Sequence, residues 1–263
     1  MQKRNTQQRR RAIIEKLKAE GEVSVELLAK ENNTSEVTIR KDLSALEANG
    51  LLLRKYGGAV PLAREQVLGT GEEQVSKRKL AIAKAAAWLI RDHNRIIVDS
   101  GQTTACLLPE LCDKQGLIVM TNSLEVANAL RELENEPTLL LTGGTWDQQS
   151  EAFQGQLAEQ VLRAYNFDQL FIGADGIDPA RGTTTCNELY TLSRVMAEVA
   201  REVIVMAESE KLGRKIHNLE LGWEEIDTLV TDDKLPVEIK HQIQSQGVRV
   251  ICAKLEKETL AKG

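Results

Sequence analysis

Short apolar runs alternate with helical patterns over most of this chain, and this alternation limits the possible folds more than any other feature. Continuous apolar strands joined by helices predict an α/β domain with a mostly parallel sheet covered on both faces. The predicted strands are 95–99, 117–121, 138–142, 169–173, 203–206, 228–231 and 248–251. The predicted helices are 77–90, 103–111, 124–133, 156–165, 188–200 and 237–246.

Polar and small residues follow these strands, at the edge where such sheets bind ligands. The turn 100–104 combines Gly with hydroxyl residues before a helix, so its backbone N–H groups predict a phosphate site. The Asp and Asn side chains suit the hydroxyls of a polyol, and Lys211 adds a positive charge. The candidate ligand-binding residues are Asp99, Ser100, Gly101, Thr103, Thr104, Thr121, Asn122, Gly143, Gly144, Asp175, Gly176, Asp178 and Lys211. Small residues also occur wherever a strand turns into a helix, but four polar strand ends in one sheet favour a site.

A second feature is the helix predicted over residues 35–50, which begins at a capping Ser and ends at a Gly. Ile39, Leu43 and Leu46 recur at i, i+4 and i+7 and form one apolar stripe. The opposite face is small, polar and basic, which suits the major groove of DNA. An ordinary surface helix has the same pattern, so the flanking segments decide between the two interpretations.

Those flanking segments favour DNA binding. Two shorter helical patterns precede the helix, and the first of them follows the basic run 9–11. Residues 51–60 predict two short strands joined by a Gly-Gly turn, which together with three helices indicates a winged helix-turn-helix. The candidate DNA-contacting residues are Ser35, Glu36, Thr38, Arg40, Lys41, Ser44, Arg54, Lys55 and Tyr56.

Charge is distributed unevenly along the 263 residues. Residues 1–60 hold twelve Lys and Arg against eight Asp and Glu, a net charge of +4. The remainder holds twenty-two against thirty-one, a net charge of −9. A basic head on an acidic body fits a nucleic-acid-binding module joined to a domain that binds something else. We therefore predict a DNA-binding domain over 1–60, a linker over 61–74 and a sensor domain over 75–263.

The sequence lacks the motifs of metal sites, disulfide frameworks, nucleotide-binding sites and membrane segments. The four cysteines show no CxxC spacing, which favours single buried thiols in a reducing compartment over a metal site or disulfides. No phosphate-binding GxxxxGK[ST] is present, and no GxGxxG follows a strand, so no nucleotide cofactor is expected. The chain has no signal peptide and no long apolar run, which predicts a cytoplasmic protein without a membrane partner.

The motifs resemble those of the DeoR family of bacterial transcriptional regulators. The resemblance rests on Val-Thr-Ile-Arg-Lys-Asp-Leu at 37–43, Tyr-Gly-Gly at 56–58, and the strand-end motifs in the family's order. It implies a sensor domain similar to ribose-5-phosphate isomerase that binds a phosphorylated sugar, and it adds Asn187 and Glu188 to the candidate effector site. Segments 153–159 and 184–190 look most like the branch containing glucitol-operon repressors. One departure is Glu210, where relatives often carry Ser, which places an acid beside Lys211.

The leading hypothesis is therefore a repressor of a sugar or sugar-alcohol operon, released from its operator by a sugar phosphate. We expect a homo-oligomer, a dimer or tetramer, on repeated half-sites. One alternative is a sugar-phosphate isomerase with Glu188 as base and Lys211 as electrostatic partner, although the winged head argues against a plain enzyme. The other is a repressor that senses a nucleoside or an unphosphorylated sugar.

Overall fold

The chain divides into two compact units, residues 1–66 and residues 67–263. A computed structural model describes residues 2–48, 52–55, 57–60, 76–148, 150–186, 191–214, 216 and 218–255. The predicted linker over 61–74 lies outside these residues. Each unit has a hydrophobic core of its own.

Unit 1 is the winged helix-turn-helix that the sequence predicts. Its elements are α1 (Gln2–Glu20), β1 (Val23–Ser24), α2 (Val25–Glu31), α3 (Glu36–Ala48), β2 (Leu53–Lys55) and β3 (Gly58–Val60). Serine hydroxyls cap the two short helices, since Ser24 Oγ accepts from the Leu27 N–H at 3.3 Å and Ser35 Oγ from the Thr38 N–H at 3.2 Å. These caps satisfy N–H groups that have no partner inside the helix. The apolar stripe of α3 is buried in the core of this unit.

The sheet of the wing includes a third strand, β1, which the sequence pattern did not predict. Strand β3 pairs antiparallel with both β2 and β1, so the sheet order is β1-β3-β2. A Cβ atom on Gly58 would lie 2.1 Å from the carbonyl oxygen of Val23, so only glycine permits this close pairing. Gly57 forms the turn with a φ of +79°, a conformation that glycine adopts readily.

Unit 2 is built around a seven-stranded parallel sheet, as predicted. The strands of unit 2, which include those of two smaller sheets, are β4 (Arg95–Val98), β5 (Ile118–Thr121), β6 (Thr138–Leu141), β7 (Thr145–Asp147), β8 (Ala152–Gln154), β9 (Phe167–Ile172), β10 (Gly176–Asp178), β11 (Gly182–Thr185), β12 (Ala200–Met206), β13 (Asn218–Gly222), β14 (Thr228–Asp232) and β15 (Arg249–Ala253). The order in the main sheet is β15-β14-β12-β9-β4-β5-β6. The carboxyl ends of these seven strands therefore meet at one edge.

Helices cover both faces of this sheet. They are α4 (Lys77–Ala87), α5 (Gln102–Ala105), α6 (Leu124–Arg131), α7 (Gln156–Arg163), α8 (Thr191–Glu198) and α9 (Val237–Gln244), with 3-10 turns at Leu108–Leu111, Ser209–Lys211 and Trp223–Glu225. In β4, Ile96 and Val98 pack in the core beneath α4 and α6, whereas Ile97 packs in the core beneath α7 to α9. Burial on both faces explains why the strands are continuous apolar runs rather than alternating ones.

Two smaller sheets were not predicted. Strands β7 and β8 form an antiparallel hairpin, and β10, β11 and β13 form an antiparallel sheet in the order β10-β11-β13. These strands have three to five residues, and β11 reads Gly-Thr-Thr-Thr, so they carry no apolar run that would identify them. Their importance for the candidate site is that β13 brings Glu220 to it.

No helix within the described ranges is long and apolar enough to cross a membrane. The four cysteines are free thiols. The prediction that they are buried is wrong for Cys112, which is exposed, and the other three are only half-buried.

Candidate functional sites

The exposed face of α3 carries most of the side chains predicted to contact DNA. The exposed residues are Ser35, Glu36, Arg40, Lys41 and Ser44. Thr38 is half-buried, and its Oγ1 lies 3.0 Å from Ser35 Oγ. Arg40 Nη2 donates to Glu36 Oε2 at 2.7 Å in an exposed ion pair. Because such pairs contribute at most about 1 kcal/mol, Arg40 can exchange Glu36 for a DNA partner at little cost.

An open groove lies between the start of α2, helix α3 and the wing. Its lining consists of Ser24, Val25, Glu26, Glu36, Arg40, Leu43, Arg54, Gly57 and Gly58. Arg40 and the exposed Arg54 therefore face the same groove from the helix and from the wing. Lys55 belongs to β2, but its side chain lies outside the described part of the chain, as does all of Tyr56.

In unit 2, hydrogen bonds join the ends of β4 and β5. Asn122 Nδ2 donates to Asp99 Oδ1 at 2.9 Å, and the Ser100 N–H donates to Asn122 Oδ1 at 3.1 Å. Burial raises the pKa of Asp99 to about 6, although the hydrogen bonds from Ser100 and Asn122 oppose the shift. Two of the predicted strand ends therefore form one connected polar group.

In the turn proposed to hold phosphate, some of the polar groups already form hydrogen bonds within the protein. The Ser100 N–H is occupied by Asn122, and Thr104 Oγ1 donates to the Gly101 carbonyl at 2.8 Å. Thr103 Oγ1 is buried without a hydrogen-bond partner among the described residues. Gly101 has a φ of +139°, which non-glycine residues rarely adopt. Thr103 is therefore the side chain of this turn whose polar group is unsatisfied.

Thr121, the last residue of β5, and the two glycines after β6 have structural roles. Thr121 is buried, and its Oγ1 accepts from the Ser123 N–H at 3.1 Å. Gly143 and Gly144 have φ values of +60° and +114°. A Cβ on Gly144 would lie 2.6 Å from the carbonyl oxygen of Gln154, so this glycine allows the chain to approach β8.

The segment after β9 contains three predicted residues with different surroundings. Asp175 Oδ2 accepts from Thr185 Oγ1 at 3.1 Å and from the Cys186 N–H at 2.8 Å. Asp178 Oδ1 instead accepts from the Ala180 N–H at 2.9 Å, inside the turn between β10 and β11. Gly176 lies in β10, where a Cβ would approach Thr184 Oγ1 to 2.6 Å.

Lys211 contacts Ala174, the neighbour of Asp175 in the chain. It is only 3% exposed, and its Nζ donates to the carbonyl oxygen of Ala174 at 2.7 Å. The unusual acid next to it, Glu210, is exposed and pairs with Arg214 at 3.1 Å and with Arg78 at 3.5 Å. Two arginines therefore balance the charge that the departure from the family pattern introduces.

Glu220 is a further candidate for this site that the sequence did not indicate. It is 7% exposed, and Ser193 Oγ donates to its Oε1 at 2.7 Å. Burial raises the pKa of Glu220 to about 8, with further raising by the charges of Asp99 and Asp175 and an opposing effect of Lys211. Asp99, Asp175 and Lys211 thus lie close enough to Glu220 for their charges to shift its pKa. The short strand β13 gives no sequence signal for this position.

The structure thus brings Asp99, Asn122, Asp175 and Lys211 together and adds Glu220. It places Asp178 at the end of β10 and Thr121 at the end of β5, where hydrogen bonds to nearby N–H groups occupy their side chains. Asn187 and Glu188 lie outside the described residues.

Two family models match the chain along most of its length. The model of the DeoR-like helix-turn-helix domain matches residues 9–65, and that of the DeoR C terminal sensor domain matches residues 74–233. Among solved structures, ribose 5-phosphate isomerase A from Methanocaldococcus jannaschii covers 52% of this chain and 54% of its own, at 21% identity and a TM-score of 0.38.

Curated relatives match over nearly their full length. A putative aga operon transcriptional repressor of Escherichia coli O157:H7 is 39% identical over 94% of this chain and 93% of its own. The HTH-type transcriptional regulator GlpR of Haloferax volcanii is 36% identical over 93% and 96%. The lactose phosphotransferase system repressor of Lactococcus lactis is 32% identical over 88% and 92%. On these matches, the chain belongs to the DeoR family of transcriptional regulators.

Proposed function

We propose that this protein represses a sugar or sugar-alcohol catabolic operon, and that a phosphorylated sugar bound by unit 2 releases it from operator DNA. The names of the relatives support the repressor role, and one of them refers to a lactose phosphotransferase system. In this proposal the protein works in the cytoplasm beside the DNA that it regulates.

The observation that carries the effector proposal is the cluster formed by Asp99, Asp175, Glu220 and Lys211. Carboxylates accept hydrogen bonds from the adjacent hydroxyl groups of a sugar, and an ammonium group attracts a phosphate. Asp99, Asp175 and Lys211 follow strands β4, β9 and β12 of the parallel sheet, at the edge where open α/β sheets bind ligands, and β13 of the small antiparallel sheet adds Glu220. A polyol that carries one phosphate matches this mixture of groups.

The protonation of Glu220 favours an anionic ligand. Because its pKa is about 8, this side chain is mostly neutral at pH 7. The cluster then carries one negative charge fewer than its composition implies, which lowers the repulsion that a phosphate would meet. A protonated carboxyl can also donate a hydrogen bond to a ligand oxygen.

We place the phosphate near the turn 100–104, where the buried hydroxyl of Thr103 lacks a partner among the described residues. The sugar hydroxyls would then face Asp99 and Asp175. Gly143, Gly144, Asn187 and Glu188 remain candidates for the rim of the site, on the family resemblance alone.

For DNA, we propose that α3 enters the major groove while Arg54 and Lys55 of the wing contact phosphates. In a dimer or tetramer on repeated half-sites, effector binding could change the spacing between the copies of unit 1. Shifting operator occupancy from 99:1 to 1:99 requires about 5.5 kcal/mol, which two effectors on one dimer can share.

A thermal-shift screen of phosphorylated sugars and sugar alcohols tests the effector proposal. A ligand at 100 times its dissociation constant should stabilise unit 2 by about 2.7 kcal/mol. The matched controls are the same sugars without phosphate, and inorganic phosphate alone. A shift produced equally by the unphosphorylated sugar would favour a sensor of free sugars, and conversion of the sugar phosphate during the assay would favour an isomerase.

Any stabilising compound is then tested on the complex with operator DNA. We expect it to release the protein from the operator at the concentration that stabilises unit 2. Stabilisation without any change in operator affinity would contradict the proposed switch.

A further inference from the structure

We propose that Arg10 of α1 contacts a DNA phosphate, and that Asp42 and Arg9 hold it in place beside α3. The inference rests on the DNA-binding role proposed above. It adds a second contact to the phosphate backbone of the DNA, on the side of α3 away from the wing. It gives a role to part of the basic run 9–11, which the candidate sites described so far do not use.

One buried carboxylate holds two arginines. Asp42 is 2% exposed, and Arg9 Nε donates to its Oδ2 at 2.6 Å while Arg10 Nε donates to its Oδ1 at 2.9 Å. These are charge-assisted hydrogen bonds at typical or short lengths. A buried carboxylate requires a cationic partner, because an unpaired charge in that position is strongly destabilising. One arginine satisfies that requirement, so the second needs another explanation.

The two arginines differ in exposure, which separates their roles. The side chain of Arg9 is 13% exposed and makes the shorter contact, so it is the partner that neutralises Asp42. The side chain of Arg10 is 34% exposed. Its contact to Asp42 uses Nε, and its side chain makes no other hydrogen bond or ion pair within the described part of unit 1. Its terminal nitrogens therefore present an uncompensated positive charge to solvent.

This charge lies on the flank of α3 opposite the wing. Each residue turns a helix by about 100°, so Asp42 lies about 160° from Arg40 around the axis. Arg40 and Leu43 line the groove shared with Arg54 of the wing. The exposed face with Lys41 lies between the two flanks. A helix in the major groove has a phosphate backbone on each side. The wing can therefore contact the phosphates of one DNA strand, and Arg10 those of the other.

The adjacent arginine provides a matched control. The side chain of Arg11 is 83% exposed and pairs with Glu15 of the same helix at 3.2 Å. Arg11→Gln and Arg10→Gln make the same change in net charge at neighbouring positions, but only Arg10 is held against α3. A difference between these variants therefore reports position rather than overall charge.

The test measures binding of the full-length protein to a mixed-sequence DNA duplex between about 50 and about 200 mM salt. Losing one phosphate contact should reduce the slope of log affinity against log salt by about 0.9. For Arg10→Gln we therefore expect the loss of affinity over this range to be about 3.5-fold smaller than for wild type. Arg10→Lys keeps the charge and should retain the wild-type slope, as should Arg11→Gln.

A purely structural role of Arg10 predicts a different result. In that case Arg10→Gln would lower the melting temperature of unit 1, followed by circular dichroism, and leave the salt slope unchanged. Arg10→Met retains the aliphatic packing and provides a second neutral variant if one fails to fold. An unchanged slope in a folded neutral variant overturns the inference.

Failure of this inference can be distinguished from failure of the proposed function. Wild-type protein that binds DNA with a steep salt dependence and is released by a sugar phosphate supports the function, whatever Arg10 does. Wild-type protein that binds no duplex at any of these salt concentrations would overturn both.

Discussion

Replacing Glu220 by glutamine should make unit 2 more stable at neutral and alkaline pH and change little at acid pH. The oxygen of glutamine can still accept the hydrogen bond from Ser193, which measures 2.7 Å in the native protein. The substitution therefore removes the ability to ionise while keeping the size and the main contact of the side chain.

The magnitude follows from the pKa of Glu220, which burial raises from 4.5 to about 8. A carboxyl group whose pKa is higher in the folded protein binds more protons when folded than when unfolded. Stability therefore falls as pH rises from the unfolded value to the folded one. The full difference corresponds to about 5 kcal/mol at about 1.4 kcal/mol per unit. Between about pH 5.5 and about pH 7.5, the wild type should lose about 2–3 kcal/mol relative to the variant.

Urea unfolding at several pH values, followed by tryptophan fluorescence, measures this effect. All three tryptophans lie in residues 67–263, so the signal reports unit 2. The matched control is Glu198→Gln, which makes the same change at an exposed position of α8. Parallel pH profiles for wild type and Glu220→Gln would refute the claim that Glu220 is buried and neutral.

Further substitutions test the other sites. Arg40→Ala should weaken operator binding by about 1–3 kcal/mol in a mobility-shift assay, and wild-type affinity in a folded variant would contradict the assignment of α3. Lys55→Ala should weaken binding to operator and to unrelated DNA alike and reduce the salt slope; an effect confined to operator would argue against a phosphate contact. Leu43→Ala, at a position 1% exposed, should destabilise unit 1 by about 2–5 kcal/mol by circular dichroism, with the tryptophan transition and effector binding unchanged. Gly101→Asp should bind operator but resist release by the effector, because its carboxylate repels the phosphate. Gly101→Ala carries the same backbone strain at φ +139° without the charge, so equal resistance in both variants would assign the effect to strain.

Local patterns in the sequence were sufficient to predict the main sheet and most of the helices, although the helix predicted over 103–111 is the four-residue α5 followed by a separate 3-10 turn. The caps at Ser24 and Ser35 act on N–H groups three residues away, so they can be identified from neighbouring residues alone. The strands of the parallel sheet are buried on both faces, so each appears as an uninterrupted apolar run. The positions of Asp99, Asn122, Asp175 and Lys211 at strand ends followed from that topology.

The tertiary structure decided which polar groups act together. Glu220 approaches Asp99 and Asp175 only because the short strand β13 pairs with β11, and strands of this length leave no periodic signal. In unit 1, Asp42 meets Arg9 and Arg10 across more than thirty residues of sequence. Periodicity in the sequence predicts local secondary structure, because it depends on residues that are near one another in the chain. Burial, pKa and ion pairing depend on groups that come close only when the chain folds.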